Sequence, residues 1–462
     1  MGLNIFSDKF THECGVMGVW NVEEASNLVY LGLYAQQHRG QEGAGIVSKE
    51  IGSDKFFSYK KVGLVAEVFE GFNFSALPGN SAIGHIRYTT AGGSLARNLQ
   101  PFTASIWGGE VALCHNGNLI NAEALKEELV KRGAIFSSFS DTEVILHLIA
   151  KKAGALSSRI ESVIESLKEV KGAYSLLILF SDSLLAVRDP WGIRPLCIGR
   201  LKNGWVSASE SCAFDLIGAE YVRDVKPGEI VIFKEGKTEP ESIIFSKPKP
   251  CPCIFEFVYF ARPDSKVYGR EVYKIRQNMG RELAKEAPAD ADIVVPVPDS
   301  GVLSALGFSQ ESKIPFEMAL VRNHYVGRTF IEPAQAIRSF GVKVKLNPVA
   351  EIIQGKRIVL VDDSIVRGTT SKKIINMLKH AGAKEIHFRI ASPPIISPCF
   401  YGIDTPSKEE LIAARKGVDE IEKELEVNSL KYLSLKGLYR AVGGDFSKMC
   451  DACFTNNYPI RE

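Results

Sequence analysis

The chain has 462 residues, 45% hydrophobic and 24% charged, which is enough apolar material for two or three domains of ordinary size. Its 56 lysines and arginines nearly cancel 54 aspartates and glutamates, so the net charge of +2 gives no global reason to expect nucleic acid or an anionic membrane as partner. No apolar run reaches the roughly 18–20 residues of a membrane span, and residues 1–13 lack the basic start and apolar core of a secretory signal. Nine cysteines, an odd number with no export signal, speak for a reduced, cytoplasmic protein in which clustered thiols bind metal or do chemistry.

The first half predicts many short strands and a few helices. Helices are expected over residues 26–37, over 122–132 with Asn121 as N-cap, and over 141–151, opened by Ser140-Asp141-Thr142-Glu143. Apolar β-type runs lie at 110–114, 174–180, 184–187 and 230–233. Residues 246–253 are proline-rich and read as a linker, which places a domain boundary between 245 and 246. Beyond it, the compact runs 293–297, 357–361 and 387–391 alternate with helices, a pattern that predicts a mainly parallel α/β sheet with ligands at the carboxyl ends of its strands. The tail over 408–442 is charged and helical in pattern, and no fixed-period repeat is present.

The sharpest local signal is Arg357-Ile-Val-Leu-Val-Asp362-Asp363-Ser364-Ile-Val-Arg367-Gly368-Thr369-Thr370-Ser371-Lys372. A buried strand ends in two carboxylates, and a loop rich in glycine and hydroxyls then opens a helix. Backbone N–H groups at that helix start, with the hydroxyls of Thr369, Thr370 and Ser371, form a phosphate cradle. The spacing is not that of a Walker A loop, and the paired acids suit a ribose diol and a magnesium-bearing substrate. An isolated Asp-Asp is usually a turn or a cap; the whole run is what points to phosphate. It resembles the signature of the type I phosphoribosyltransferases. That resemblance implies ribose contact by Asp362 and Asp363, and 5′-phosphate contact by Arg367, Gly368, Thr369, Thr370 and Ser371. Val295-Pro-Val-Pro-Asp299-Ser300-Gly301 resembles the family's pyrophosphate loop, with Ser300 joining Asp362 and Asp363 around Mg2+. Arg322-Asn-His324-Tyr-Val-Gly327-Arg328 resembles its flexible catalytic loop, in which Arg322, His324 and Arg328 reach toward pyrophosphate and Gly327 serves as hinge. Lys345 is a weaker candidate for the same task, and equally a solvated lysine.

Near the start stands Cys14-Gly15-Val16-Met17-Gly18, followed by Gln37-His38-Arg39-Gly40-Gln41-Glu42-Gly43. Further on come Gly84-His85-Ile86-Arg87-Tyr88-Thr89, Cys114-His115-Asn116-Gly117-Asn118 and Ser140-Asp141-Thr142-Glu143. A lone Cys-Gly is weak, because most free cysteines are small buried hydrophobes. In this order, however, the segments resemble the class II glutamine amidotransferases, whose domain is an N-terminal-nucleophile hydrolase sandwich. An N-terminal cysteine supplies both the thiol and an amine that can act as its general base. The resemblance implies an oxyanion hole from the Asn116 side chain and the Gly117 N–H, Arg87 on the glutamine α-carboxylate, Asp141 on its α-ammonium, and structural support from Arg39 and Gly40. His38, His85 and His115 show no metal-ligand spacing and read as packing or loop-orienting residues. Because Cys14 is not residue 1, the resemblance also implies a propeptide, residues 1–13, cleaved after Glu13 to expose the amine.

Cys450-Asp-Ala-Cys453 can hold zinc, ligate an iron–sulfur cluster or do redox work, and a four-ligand site must gather distant residues. Taken together, the halves resemble the glutamine phosphoribosylpyrophosphate amidotransferases, in their iron–sulfur, propeptide-bearing branch. The fold expected is therefore an α+β N-terminal-nucleophile sandwich (αββα) over 14–245, followed by an α/β type I phosphoribosyltransferase domain over 246–462. The resemblance implies a structural [4Fe-4S] cluster on Cys253, Cys399, Cys450 and Cys453, with zinc on the same thiolates as the rival and Cys251 an awkward neighbour. It further implies glutamine and phosphoribosyl pyrophosphate as substrates, 5-phosphoribosylamine as the product that opens purine synthesis, purine nucleotides as feedback inhibitors, a homotetramer, and internal passage of ammonia. The competing readings are an amino-sugar amidotransferase, which the phosphoribosyl motif opposes, and a non-catalytic sensor, which the set Cys14, Arg87, Asn116 and Asp141 opposes.

Overall fold

Central strands of the first half such as Gly15–Trp20 and Gly172–Leu179 are buried on both faces, which explains why they read as continuous apolar runs rather than alternating ones. The computed structural model describes residues 14–51, 53–88, 96–323, 346–443 and 449–461. Among these, one antiparallel sheet runs in the order Glu220–Asp224, Cys197–Leu201, Gly204–Ala208, Gly15–Trp20, Ser81–Arg87, Gly43–Lys49 and Phe57–Val62. The second, also antiparallel, runs Glu241–Ile244, Glu229–Lys234, Ser183–Arg188, Gly172–Leu179, Gly109–Leu119 and Phe102–Ile106. Val16, Trp20 and Ile83 of one sheet and Leu177, Leu184 and Ala186 of the other fill the layer between them. Met17 and Val19 point the opposite way, into a cluster with Val29 and Leu33 of helix Ala25–Ala35. Leu176 and Ile178 pack with Ile145 and Leu148 of helix Asp141–Ala153 on the outer face of the second sheet. This is the expected helix–sheet–sheet–helix sandwich.

Local chemistry agrees at the third predicted helix, where Ser140 accepts from the Thr142 N–H at 3.3 Å. It differs at the second. Asn121 does not cap helix Ala122–Lys131; its side chain instead donates to Glu169 O at 2.9 Å and accepts from Lys171 N at 2.8 Å, so a tertiary contact takes the groups a cap would use. The proline-rich segment is also more than a spacer. The N–H groups of Lys249, Cys251 and Cys253 donate to the carbonyls of Pro190, Trp191 and Ile193 at 2.7, 2.7 and 3.1 Å. Prolines occupy the alternate positions 248, 250 and 252, where no donor is required, so the segment is clamped to the first domain.

The second domain is built on four parallel strands in the order Ile293–Pro296, Arg357–Asp362, Glu385–Ile390 and Ser429–Tyr432. The last of these corrects the reading of 408–442 as helical. Helices Val418–Leu425 and Leu435–Val442 are present, but Ser429–Tyr432 between them closes the sheet. Four residues are too few to show a period of two, and the amphipathic helices on either side dominate the pattern. Alternate residues of the sheet enter two clusters. Val294, Val359 and Val361 join one, and Val295, Leu360, Phe388 and Leu430 the other. The first cluster also contains Ala173 and Ile193 of the sandwich, so the two domains share one apolar core. No helix among the described residues is long and apolar enough to cross a membrane.

Helices Val272–Glu286 and Val302–Ser312 cross backbone to backbone. A Cβ on Gly280 would stand 1.9 Å from Ser304 O, and one on Gly307 would stand 1.9 Å from Gln277 O. We expect Gly307→Ala to force the helices apart at a cost of about 1–3 kcal/mol. A urea midpoint equal to that of the parent chain would contradict so close a crossing.

Candidate active site

Cys14 precedes the central strand Gly15–Trp20, and the pairing of Gly15 with Ile86 sets it beside Arg87 and Tyr88. Its thiol lies 3.7 Å from Tyr88 O, and its carbonyl accepts from Arg39 Nε at 3.2 Å. Burial raises the thiol above its ordinary value, with Arg87 the strongest opposing influence and Asp141 and Glu42 adding to the rise. A protonated thiol here needs a base. Arg87 donates to Asn98 O at 3.1 Å, and Gly40 lies so close that a Cβ on it would meet the Arg87 carbonyl at 2.9 Å.

Asn116 and Gly117 arrive from the facing sheet, on strand Gly109–Leu119. Asn116 is fully buried; its Nδ2 donates to Ser209 Oγ at 3.3 Å, and Oδ1 has no hydrogen-bond partner among the described residues. Ser209 in turn accepts from Val16 N at 3.1 Å, which ties the amide to the nucleophile's strand. Gly117 has φ +150°, and a Cβ there would come 2.0 Å from Ala173 O, so no side chain fits. Asp141 accepts from Leu119 N at 2.9 Å and lies 3.6 Å from His115 Nδ1. Burial raises its carboxyl, but His115 and the Leu119 and Thr142 N–H groups outweigh that and leave it below the usual carboxylate value. The histidines orient, as expected. His85 Nε2 donates to His115 O at 3.1 Å, and burial pushes the ring down to about 3, so it stays neutral. His38 meets Glu210 at 2.7 Å.

Behind Cys14 lies a buried charge network that no motif announced. Arg39 contacts Glu210 Oε1 at 2.5 Å and Glu256 at 2.8 and 3.1 Å, and Arg194 contacts Glu256 Oε1 at 2.5 Å. Glu210 also accepts from Arg262 N at 2.9 Å and Ser265 Oγ at 2.7 Å. Burial alone would raise both carboxyls. Arg39 and Arg194 hold Glu256 below its ordinary value, and His38 and Arg39 do the same for Glu210. Glu256 and Arg262 come from the second domain, so the carbonyl of Cys14 is positioned across the boundary. The available signal for Glu256 was a single carboxylate inside the apolar run Ile254-Phe-Glu-Phe-Val-Tyr-Phe260.

At the other end, strand Arg357–Asp362 delivers Asp362 and Asp363, both buried. Ser364 Oγ donates to Asp363 at 2.5 Å. Gly368, at φ +83°, turns the chain into helix Thr369–His380, whose first turn carries Thr369, Thr370 and Ser371. Gly301 closes the neighbouring loop against this strand, since a Cβ on it would stand 2.4 Å from Val361 O; Ser300 and the two aspartates thus lie at the carboxyl ends of adjacent parallel strands. Paired buried carboxylates beside a hydroxyl are a fit for Mg2+, which prefers oxygen donors. Arg367 is held by Glu410 at 2.9 and 3.1 Å, and Arg322 pairs with Asp299. His324, Gly327, Arg328 and Lys345 lie outside the described residues. Arg276 is a further missed residue: buried, it donates to Phe257 O at 2.8 Å and Ala261 O at 2.7 Å. Burial lowers its guanidinium, with Asp363 and then Glu210 the strongest opposing charges.

The four predicted thiols come together. Cys253, Cys399, Cys450 and Cys453 line one small cavity whose wall includes Phe255, Tyr401, Ile403 and Tyr458, whereas Cys251 does not line it. Cys253 bridges to Cys450 in parallel fashion, with Ile254 N donating to Cys450 O at 3.2 Å. Burial pushes Cys253 up to about 12 and raises the other three thiols. Among the described residues, no three His, Cys, Asp or Glu side chains are close enough to grip a single ion. Four thiols lining one cavity are a donor set that suits an iron–sulfur group or zinc.

A nucleophile-bearing sandwich joined to a sheet with a phosphate loop defines a glutamine amidotransferase coupled to a phosphoribosyltransferase. Sequence families agree: a glutamine amidotransferase domain matches residues 85–215, and a phosphoribosyl transferase domain matches 270–393. The chain is 50% identical to amidophosphoribosyltransferase 2, chloroplastic, of Arabidopsis thaliana, over 99% of this chain and 81% of that one. It is 48% identical to the amidophosphoribosyltransferase of Methanocaldococcus jannaschii, over 96% and 97%. The solved B. subtilis glutamine phosphoribosylpyrophosphate amidotransferase, complexed with ADP and GMP, superposes with a TM-score of 0.91 at 46% identity, covering 97% of this chain and 98% of that one. The chain belongs to the amidophosphoribosyltransferase family.

Truncating Glu256 removes the carboxylate that Arg194 contacts and leaves Glu210 to balance Arg39, so Glu256→Ala should cost about 3–5 kcal/mol in thermal or denaturant unfolding. Both carboxyls are depressed, so their stabilisation is complete above the unfolded glutamate value of about 4.3 and is lost as pH falls through the lower folded values. Glu256→Gln should therefore flatten the decline in stability below about pH 4. An unchanged acid limb would show that the carboxylate is not ionised in the fold.

Proposed function

We propose that Cys14 is the nucleophile of a glutamine-dependent amidophosphoribosyl transfer and acts once residues 1–13 have been removed. The overall activity is that of the family: glutamine, water and phosphoribosyl pyrophosphate give 5-phosphoribosylamine, glutamate and pyrophosphate, the first step of purine synthesis. The observation that carries the residue assignment is the convergence of Cys14, Arg87 and the Asn116–Gly117 strand from two facing sheets with Asp141 from the start of helix Asp141–Ala153.

Freed of residue 13, the α-amine of Cys14 takes the thiol proton and later returns it to the departing ammonia. The sulfur attacks the glutamine carboxamide carbon; the Gly117 N–H and the Asn116 amide hold the oxyanion; C–N cleavage leaves a thioester that water hydrolyses. A half-turn of the Asn116 amide would let Oδ1 accept from Ser209 and free the NH2 for this task. Arg87 pairs with the substrate α-carboxylate, and Asp141, held ionised, attracts its α-ammonium. Ammonia then displaces pyrophosphate at the ribose C1, with Asp362 and Asp363 on the ribose diol and the turn from Arg367 to Ser371 on the 5′-phosphate. Ser300, Asp362 and Asp363 would hold Mg2+, which supplies charge neutralisation for the leaving pyrophosphate, and Arg328 would add a cation from its loop.

Cys253, Cys399, Cys450 and Cys453 would hold a [4Fe-4S] cluster, whose contribution is to cross-link the inter-domain segment, the sheet and the tail. Passage of ammonia inside the protein is part of this reading, because release to water would protonate it. Purine nucleotides are the expected inhibitors, as ADP and GMP occupy the B. subtilis relative.

Mass analysis of active protein should give an N-terminus at Cys14; full activity from a chain that begins at Met1 would refute the amine as base. Cys14→Ala should lower glutamine-dependent synthesis by at least ~10³-fold and spare ammonia-dependent synthesis. With an ordinary α-amine, kcat for glutamine should rise with pH through about 7.7 and then level. Iron and labile sulfide should each approach about four per chain in protein purified without oxygen, whereas about one zinc and no sulfide would replace the cluster with a zinc site.

A further inference from the structure

The proposed oxyanion glycine is touched by the other domain. Gly402, three residues beyond Cys399, has φ +105°, and a Cβ on it would stand 2.8 Å from Gly117 Cα, 2.9 Å from its carbonyl carbon and 3.1 Å from its oxygen. On its opposite side Gly117 is equally confined, since its own Cβ would meet Ala173 O at 2.0 Å and His115 Nε2 at 2.7 Å. The next residue is fastened to the same segment: Asn118 Nδ2 donates to Phe400 O at 3.1 Å.

That segment is itself anchored within the second domain. Cys399 N donates to Thr405 Oγ1 at 2.7 Å, Tyr401 N donates to Cys399 Sγ at 3.3 Å, and the Tyr401 hydroxyl donates to Ile460 O at 2.6 Å. A positive-φ glycine pressed onto a second positive-φ glycine, across a domain boundary, permits backbone contact that no side chain would allow. An oxyanion donor is effective only when its N–H is held where the charge develops, and small displacements are costly.

We propose that Gly402 is a positioning residue for glutamine hydrolysis: the second domain seats Gly117, so the oxyanion hole is complete only when the two domains are docked. The inference rests on the assignment of Gly117 as oxyanion donor. It adds a residue 285 positions away in sequence, on the other domain.

The test uses the full chain with Gly402→Ala, and Gly133→Ala as a control for strain, because Gly133 also has positive φ (+91°) but has nothing within 4 Å of its Cβ position. For Gly402→Ala we expect kcat for glutamine hydrolysis to fall by about tenfold or more, with KM for glutamine and ammonia-dependent synthesis changed less than about twofold. Glutamate γ-semialdehyde binds as a tetrahedral hemithioacetal and should lose affinity in parallel, whereas alkylation of Cys14 by iodoacetamide, which forms no oxyanion, should keep its rate. Gly133→Ala should behave as the parent chain. An unchanged kcat, or equal losses in semialdehyde binding and alkylation, would overturn the proposal. Should Gly402→Ala not fold, Asn118→Ala removes only the tie to Phe400 O and should show the same split at smaller size; no change in kcat would again overturn it. If Cys14→Ala still hydrolyses glutamine, the assignment of the site itself fails; if that variant is inert while Gly402→Ala is normal, only the role of Gly402 falls.

Discussion

The contact between Arg39 and Glu256 is the constraint on which the arrangement turns. A guanidinium with no solvent access, placed between carboxylates from both domains, must stay paired or pay the desolvation of an isolated ion. Its remaining nitrogen, Nε, holds the Cys14 carbonyl. Cys14 is thus positioned by an electrostatic requirement that neither domain satisfies alone, since Arg194 and Glu210 complete the network from one side and Glu256 from the other.

Around that network the two reaction centres are joined by continuous matter. Apolar residues of both domains form one cluster, and the clamped proline-rich segment runs from the sandwich to Cys253, three residues before Glu256. Arg276 balances Asp363 of the phosphoribosyl site and feels Glu210 and Glu256 of the network. The cavity lined by the four thiols sits where segment, sheet and tail meet, and its Cys253 and Cys399 segments go on to touch Arg39 and Gly117 respectively.

Motifs made of contiguous residues were legible in the chain itself. The strand–acids–glycine–hydroxyl run predicts its own geometry, because the φ of Gly368 and the helix start at Thr369 follow from local chemistry. So does Gly117, whose left-handed conformation sits where the motif required a glycine. Glu210, Glu256, Arg194 and Arg276 were not legible: each is one charged residue in an ordinary stretch, and its significance is its burial beside partners up to 217 positions away. Strand Ser429–Tyr432 was missed for a related reason, since a short edge strand is defined by the neighbour it pairs with rather than by its own pattern.

What the order of residues made legible was chemistry that lives within a few positions: a cysteine followed by glycine, an Asn-Gly pair within a strand, paired acids before a glycine- and hydroxyl-rich loop, and, through family likeness, the expectation of Cys253 rather than Cys251 beside Cys399, Cys450 and Cys453. What folding alone settled was which charges lost their water. Desolvation is a property of three-dimensional packing, and it converts Arg39 and Glu256 from two unremarked side chains into the link that holds Cys14 in place.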